Sequence, residues 1–231
     1  MPREDVPIMN PNCDVMVSII CLTYCQEDYI GQALDSFFCQ KTDFEYEVIV
    51  NDDCSSDRTP EILREYEKKY PGKMKVVYQK ENQYSKGVRI ADDILIPLSS
   101  GKYLAFCEGD DYWCDENKLQ KQVDFLESHP EYTVCVHNAK DLYVRSGRVE
   151  YPYPKEDKDL KLEDVVMVGS QSFQSASNVI RRDFYLKLPD FCKMTGVVED
   201  YPDAVYYALD GRVRYMKDVM SVHQIGTKNS W

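Results

Sequence analysis

Residues 46–70 read YEVIVNDDCSSDRTPEILREYEKKY, and this stretch predicts most of the fold. A run of β-forming apolar residues ends in two adjacent acids, Asp52 and Asp53. A helix is then predicted from Thr59, the N-cap, with Pro60 at the first helical position and the apolar residues on one face. A strand, an acidic turn and an amphipathic helix in this order are typical of an α/β protein.

The same alternation continues on both sides of this stretch. Further strands are predicted at 15–22, 74–79, 102–107 and 132–138, and further helices at about 30–39, 85–98 and 116–129. These strands lack polar alternation and are separated by helices, which indicates a parallel sheet that is covered on both faces. The sequence therefore predicts an α/β fold with a single Rossmann-like domain, in which helices flank a largely parallel central sheet.

The sequence is less regular after residue 140. Residues 147–164 are rich in charge, Tyr and Pro and predict an exposed connection. Two β-like runs, 177–182 and 212–225, bracket a helix that is predicted after Pro202. We divide the chain into an N-terminal extension (1–14), a first half (15–140) and a second half (141–231) of one domain. An end at KNSW is also what a truncated piece of a longer protein would show.

Composition excludes several classes of protein. The 231 residues are 43% hydrophobic, enough for one domain, and the net charge of -12 is opposite to that of most nucleic-acid binders. No stretch approaches the ~20 apolar residues that span a bilayer, and residues 1–11 lack the apolar core of a signal peptide. The nine cysteines include no C-x-x-C pair, so we expect reduced thiols in a cytoplasmic protein.

A second acidic cluster, EGDD at 108–111, follows the predicted strand 102–107. The carboxyl ends of parallel strands share the edge of the sheet at which ligands bind, so both acidic clusters are expected there. Residues i and i+2 of an extended segment point to the same side, so Glu108 and Asp110 would present their carboxylates together. Carboxylates are hard oxygen ligands for a cation. The alternatives are a solvated acidic turn at 108–111 and, for Asp52-Asp53, an Asx turn that caps the next helix.

Two stretches resemble the inverting family 2 glycosyltransferases of the GT-A fold. They are VSIICLTYCQEDYIGQALDSFFCQKTDFEYEVIVNDDCSSDRT (17–59) and SSGKYLAFCEGDDYW (99–113). The family pattern is V-S-[IV]-I-x-P-T-Y-N at the first strand, D-D-G-S-x-D after the second, and G-x-Y-[IL] before D-x-D-D. This chain departs from it at four positions, with Leu22 for Pro, Cys25 for Asn, Cys54 for Gly and Glu108 for the first Asp.

The resemblance implies a role for each matching residue of the first half. The backbone near Leu22 and Thr23, together with the Asp53 carboxylate, would hold the nucleotide base. Glu108 would contact the ribose, and Asp110 would bind the Mg²⁺ or Mn²⁺ that bridges the diphosphate. The first half then binds the nucleotide-sugar donor, and the second half serves the acceptor.

The second half contains the implied catalytic base. In VVEDYP, Asp200 aligns with the general base and Glu199 with its acidic neighbour; a helix-capping acid is the alternative. Because Pro202 disfavours helical geometry at Tyr201, both acids are predicted on the loop before the helix. His223, in VHQIG, falls where some relatives place a residue that faces the metal; the alternative is a structural histidine at a strand end.

The resemblance thus implies a metal-dependent, inverting glycosyltransferase. It would move a sugar from a nucleotide-diphosphate donor, a UDP-sugar, to a hydroxyl of a glycan or of a saccharide or lipid-linked precursor of a polysaccharide. We expect it in the cytoplasm, including the inner face of the membrane. The alternatives are a non-catalytic nucleotide-sugar or glycan-binding module and a sugar-nucleotide pyrophosphorylase. CLTYCQEDY (21–29) stands where the pyrophosphorylase would have a Gly-rich loop.

Overall fold

The computed structural model describes residues 15–169, 172–193 and 200–228, without the side chains of residues 190, 193 and 200. Within these residues, the strands form a single sheet in the order β3-β2-β1-β4-β9-β6-β10-β5, with β7 beside β6 and β8 beside β10. Their bounds are β1 (Val15–Thr23), β2 (Glu45–Asp52), β3 (Met74–Tyr78), β4 (Tyr103–Phe106), β5 (Tyr112–Trp113), β6 (Val134–Tyr143), β7 (Arg148–Glu150), β8 (Lys158–Leu160), β9 (Val179–Arg181) and β10 (Val213–Ile225).

The long ladders of the sheet are parallel. β1 pairs in parallel with β2 and β4, β2 with β3, and β6 with β10. The antiparallel pairings are short and involve β5, β7, β8 and β9. The predicted α/β domain with a largely parallel sheet is therefore confirmed.

Helices cover both faces of this sheet. They are α1 (Ile30–Phe38), α2 (Thr59–Lys69), α3 (Lys118–Ser128), α4 (Leu162–Val168), α5 (Arg182–Tyr185) and α6 (Asp200–Asp210). Successive strand residues alternate between two apolar clusters: Ile19 packs with α1, α2 and α3, whereas Ile20 packs on the opposite face, which α4, α5 and α6 cover. Because both faces are buried, the strands show no polar alternation in the sequence.

Two predicted elements differ from the structure. The continuous helix expected at 85–98 is wrong, because the chain forms short 3-10 turns, Tyr84–Lys86 and Ile96–Leu98, on either side of a π-helical turn. Gly87 interrupts the path with a φ of 75°, in the left-handed region. The exposed connection expected at 147–164 instead contributes β7, β8 and the start of α4. Its Tyr153 is buried in the core.

The start of α6 also differs from the prediction. Asp200 is already helical, so it does not lie on a loop before the helix. Pro202 falls in the first turn of α6 that the structure describes, and a proline is tolerated in the first turn of a helix because a backbone N–H there has no partner within the helix. Tyr201 precedes this proline, but its preference for extended geometry does not keep it out of the helix. Glu199 lies outside the described residues.

Candidate active site

The two acidic turns lie on either side of the carboxyl end of β1. The backbone N–H of Asp53 donates to the carbonyl of Thr23 at 3.0 Å, and that of Gly109 donates to the carbonyl of Leu22 at 2.9 Å. The structure therefore brings Leu22, Thr23, Asp53 and the second turn together at one edge of the sheet. This is the edge at which ligands bind in open α/β folds.

The Asp53 carboxylate is fully buried and accepts two backbone hydrogen bonds. The N–H of Gln83 donates to Oδ1 at 2.7 Å, and the N–H of Tyr84 donates to Oδ2 at 3.1 Å. This carboxylate consequently fixes the path of the segment that follows β3. Its contact with a nucleotide base stays a prediction.

The turn-forming role falls on the neighbours of Asp53. Oδ1 of Asp52 accepts the N–H of Ser55 at 3.3 Å, as in an Asx-type turn, and burial raises the pKa of Asp52. Oδ1 of Asp57 accepts the N–H of Thr59 at the start of α2 at 3.0 Å. Asp52 thus shapes the turn, and Asp57 holds the first backbone N–H of α2. The predicted N-cap, Thr59, is wrong by one residue: Thr59 is already helical, and Arg58 occupies the N-cap position.

Two cysteines occupy left-handed backbone positions beside this turn. Cys25 has a φ of 50° and Cys54 a φ of 66°. Two hydrogen bonds join the loop after β1 to the loop after β2. The N–H of Cys25 donates to Ser55 Oγ at 2.8 Å, and the N–H of Ser56 donates to Cys25 Sγ at 3.4 Å. The left-handed conformation at Cys54 accounts for the Gly of the family pattern, since Gly adopts it without steric cost.

The second turn is buried, so it is not a solvated acidic turn. Asp110 is 3% exposed and Asp111 2%. The Asp111 carboxylate accepts hydrogen bonds from the backbone N–H of Gln224 at 2.8 Å and from the side-chain amide of Gln174. Burial, with the nearby charges of Asp110 and Glu108, raises the pKa of Asp111 far above its usual range. Asp111 thus ties the turn to β10.

Among residues 15–169, 172–193 and 200–228, Asp110 is held by one of its two carboxylate oxygens. The hydroxyl of Thr227 donates to Oδ2 at 2.8 Å, whereas Oδ1 is buried and accepts no hydrogen bond from these residues. The side-chain amide of Gln224 donates to the backbone carbonyl of Asp110 at 2.5 Å. A buried carboxylate oxygen without a donor is costly unless a ligand takes it up. This oxygen therefore fits the hard-oxygen contact that Mg²⁺ and Mn²⁺ prefer.

Gly109 lets the second turn approach β1. A Cβ at this position would lie 2.5 Å from Gln26 Oε1 and 2.8 Å from Thr23 Oγ1. Both neighbours are buried and bonded to each other, since the Thr23 hydroxyl donates to Gln26 Oε1 at 2.8 Å. The glycine of the EGDD sequence is thus required by close packing.

Glu108 lines a cavity of about 100 Å³ between the carboxyl ends of β1 and β4 and helix α6. Leu22 lies on the same cavity, which places two predicted donor-binding residues together. Asp203, one turn along α6 from Asp200, also lines it. Asp200 is the first residue of α6, but its side chain is outside what the structure describes. Its role as general base stays a prediction.

His223 lies on β10 beside Gln224. Its Nδ1 is 3.2 Å from Asp141 Oδ1 on the neighbouring strand β6. Adjacent residues of a strand point to opposite faces, and it is Gln224 that reaches the acidic turn. A contact between His223 and a metal stays a prediction.

The protein side chains alone make an incomplete metal site. Within residues 15–169, 172–193 and 200–228, no group of three or more His, Cys, Asp or Glu side chains could hold an ion. A cation at Asp110 would take its remaining ligands from the diphosphate of a bound nucleotide and from water, as Mg²⁺ commonly does.

Sequence reasoning missed the residues that hold the second turn. Gln174, Gln224 and Thr227 belong to the irregular second half and contact acids that lie 63 to 117 positions earlier. The available signal was weak: Ser221 and Gln224, together with His223, interrupt the apolar residues at 219–225. Ser221 and Gln224 are both buried, and the Ser221 hydroxyl donates to Gln174 Oε1 at 2.9 Å.

Comparison with known proteins identifies the family. Residues 18–185 match the family described as Glycosyl transferase family 2. The chain belongs to this family. Its predicted membership is confirmed, and the matched region includes both acidic turns but ends before α6.

Two relatives and one solved structure show how far the likeness extends. An uncharacterized protein of Mycobacterium tuberculosis is 34% identical over 218 residues, 93% of this chain and 60% of that protein. The putative teichuronic acid biosynthesis glycosyltransferase TuaG of Bacillus subtilis is 36% identical over 115 residues, 50% of this chain and 43% of TuaG. The crystal structure of S. aureus TarS 1-349 in complex with UDP shares the fold, with a TM-score of 0.71, 24% identity and coverage of 91% of this chain and 61% of that one.

This chain spans less than two thirds of the length of each of these proteins. In the part of the chain that the structure describes, no helix is both long and apolar enough to cross a membrane.

Proposed function

We propose that the chain is a metal-dependent, inverting glycosyltransferase that uses a UDP-sugar. Its acceptor is a hydroxyl of a glycan or of a lipid-linked polysaccharide precursor at the cytoplasmic face of the membrane. The observation that carries the proposal is the buried Oδ1 of Asp110 at the ligand-binding edge of a family 2 fold, which accepts no hydrogen bond from the part of the chain that the structure describes. The solved complex of TarS with UDP and the name of TuaG support the choice of donor and acceptor class.

The residues of the edge have distinct tasks in this proposal. Asp53 and the segment that it orders hold the base, with the backbone of Leu22 and Thr23 beside it. Glu108 meets the ribose or the sugar from the wall of the cavity. Asp110 would hold Mg²⁺ or Mn²⁺; a bound cation would offset the negative charge that develops on the leaving diphosphate.

The acceptor side requires a base. We assign this role to Asp200, which lies on the helix that forms the far wall of the cavity; its carboxylate would remove the proton of the acceptor hydroxyl. Attack by that hydroxyl from the side opposite the diphosphate inverts the anomeric carbon. Donor and acceptor would thus approach from the first and second halves, respectively.

A screen for turnover tests this proposal. The protein is incubated with a panel of UDP-, GDP- and dTDP-sugars, with Mn²⁺ or with EDTA, and release of the nucleoside diphosphate is measured. We expect release from a UDP-sugar in Mn²⁺ only. Binding of UDP without release or transfer from any sugar, with acceptor glycosides present, would favour the non-catalytic binding module.

Asp200→Asn tests the base, because it preserves shape and removes the proton acceptor. We expect turnover to fall about 10²- to 10⁴-fold, with UDP affinity near that of the wild type. Asp210→Asn is the matched control: Asp210 ends the same helix, where it accepts a hydrogen bond from the Tyr206 hydroxyl at 3.1 Å. Wild-type turnover in Asp200→Asn would contradict the assignment.

A further inference from the structure

Two of the four departures from the family pattern are cysteines beside the proposed site of the nucleotide base. Cys25 stands where the pattern has Asn, and Cys54 stands where it has Gly. Both residues have a left-handed backbone, with φ of 50° and 66°. Gly and Asn adopt this conformation most readily, so each cysteine adds strain that the residue of the pattern avoids. Strain at two positions of one site indicates a role for the two side chains.

Cys25 contacts the two residues that follow Cys54. The N–H of Cys25 donates to Ser55 Oγ at 2.8 Å, and its Sγ accepts the N–H of Ser56 at 3.4 Å. The pKa of Tyr24 is raised, most strongly by the charge of Cys25 and also by that of Cys54, so both thiols lie near one phenol group. The loop after β1 and the loop after β2 thus bring two thiols to one place.

The two thiols are also accessible. Cys25 and Cys54 are partly exposed, whereas Cys21, Cys107 and Cys135 are buried in the core. A thiol reacts with a small molecule only where that molecule can reach it. A second thiol nearby completes the reaction, because it displaces the small molecule from the mixed disulfide that forms first. Both requirements are met at this site.

We propose that Cys25 and Cys54 form a thiol–disulfide exchange site, which a small disulfide such as oxidised glutathione converts to an intramolecular disulfide. The Cys25 thiolate attacks one sulfur of the small disulfide, forms a mixed disulfide and releases one glutathione thiolate. The Cys54 thiolate then attacks Cys25 Sγ and releases the second. The two protein thiols together lose two electrons and two protons, and the small disulfide takes up both electrons and becomes two thiols.

The disulfide changes the loops that hold the nucleotide base, an effect that rests on the proposed function. Cys25 Sγ has to turn from the N–H of Ser56 toward Cys54, and Cys54 directly follows Asp53. Asp53 in turn orders the segment after β3 through two backbone hydrogen bonds. The cross-link therefore displaces the Asp53 carboxylate and lowers the affinity for UDP. By linkage, bound UDP opposes the oxidation to the same extent.

Equilibration in glutathione tests both the reaction and its effect. The protein is incubated in mixtures that range from reduced to oxidised glutathione, the remaining thiols are alkylated, and peptide mass mapping identifies the cross-linked residues. Calorimetry in Mn²⁺ then measures the affinity of each sample for UDP. We expect a cross-link between Cys25 and Cys54 and an affinity about tenfold or more lower, which dithiothreitol restores. Saturating UDP should shift the oxidation to mixtures richer in oxidised glutathione.

Two pairs of variants separate this site from other thiols. Cys25→Asn and Cys54→Gly introduce the residues of the family pattern, which relieve backbone strain, so both variants should fold. Each should bind UDP equally well in the reduced and the oxidised mixture. Cys39→Ser and Cys114→Ser are the matched controls, because these thiols are exposed and directly follow α1 and β5. The control variants should still lose affinity for UDP on oxidation.

The outcomes distinguish this inference from the proposed function. Absence of a cross-link between Cys25 and Cys54 in every mixture, including one in which glutathione stays attached to Cys25, overturns the exchange site and leaves the proposed function standing. A cross-link that leaves the affinity for UDP unchanged overturns its effect on the site of the nucleotide base. Failure of the reduced protein to bind UDP in Mn²⁺ contradicts the proposed function, whereas mass mapping still decides whether the disulfide forms.

Discussion

The two acidic turns at the edge of the sheet have similar sequences but different hydrogen-bonding states. At the end of β2, both carboxylate oxygens of Asp53 accept backbone N–H groups. In the turn after β4, Asp110 has one oxygen held by Thr227 and one that is buried and has no donor among the described residues. A satisfied carboxylate organises its surroundings, whereas one with a remaining acceptor can bind a ligand. The first turn thus orders the segment to which we assign the nucleotide base, and the second turn provides the proposed contact with the metal.

The difference arises from the elements that pack against each turn. Asp53 is met by the backbone of residues 83–84, close in sequence to its own strand, whereas Asp110 is met by Thr227 from the far end of the second half. The second half therefore determines which carboxylate oxygens of the second turn accept hydrogen bonds. It holds Asp111 on both oxygens and Asp110 on one.

The first prediction compares stability at the two turns, by urea unfolding of Asp53→Asn and Asp110→Asn. Asn at position 53 presents an NH₂ group to a backbone N–H, so this variant should lose about 2–3 kcal/mol of unfolding free energy. Asp110→Asn is the matched variant and should lose less than about 1 kcal/mol, because the Thr227 hydroxyl still has an acceptor. Equal losses would remove the distinction between the turns.

The second prediction concerns the buried ammonium group of Lys118, which lies behind the second turn. Lys118 is 0% exposed, and its ammonium nitrogen lies 4.1 Å from the centre of the Trp113 ring. Burial lowers the pKa of Lys118 from 10.5 to about 7. The unfolded chain keeps this proton to higher pH than the folded protein, so Lys118 contributes to a rise in stability above pH 7.

Lys118→Met measures this contribution. The variant should be more stable than the wild type at pH 7, and its advantage should shrink by about 2 kcal/mol between pH 7 and pH 9. Taking the difference between the two proteins removes the opposite effect of the buried thiols of Cys21, Cys107 and Cys135, whose pKa is raised by burial. An advantage that does not change with pH would show that the folded protein keeps the Lys118 proton up to pH 9, so that burial does not lower the pKa of Lys118.

The third prediction tests the packing of the second turn against β1. Gly109→Ala should cost about 1–2 kcal/mol of stability, because its Cβ would overlap Gln26 and Thr23. Gly31→Ala is the matched control: in α1 its Cβ would meet only the Tyr66 hydroxyl at 3.9 Å, so it should stabilise by about 0.5–1 kcal/mol. If both variants are stabilised, the close approach at Gly109 is wrong.

The sequence predicted the first half better than the second. Helix α2 was expected at 59–70 and runs Thr59–Lys69, since its proline and apolar face are local signals; the predicted N-cap, Thr59, is wrong by one residue, because Arg58 occupies that position. We predicted that both turns lie at one edge of the sheet, because strands without polar alternation indicate a parallel sheet, whose strands end at the same edge. The partners of Asp110 and Asp111 could not be predicted, because contacts across more than 60 residues leave no local pattern.

Titration of UDP tests the proposed role of Asp110 most directly. Calorimetry is carried out on the wild type and on Asp110→Asn, each in Mn²⁺ and in EDTA. We expect Mn²⁺ to raise the affinity of the wild type for UDP by more than about tenfold, and to leave that of Asp110→Asn at the EDTA value. Equal affinity of the wild type in Mn²⁺ and in EDTA would contradict a metal-binding second turn.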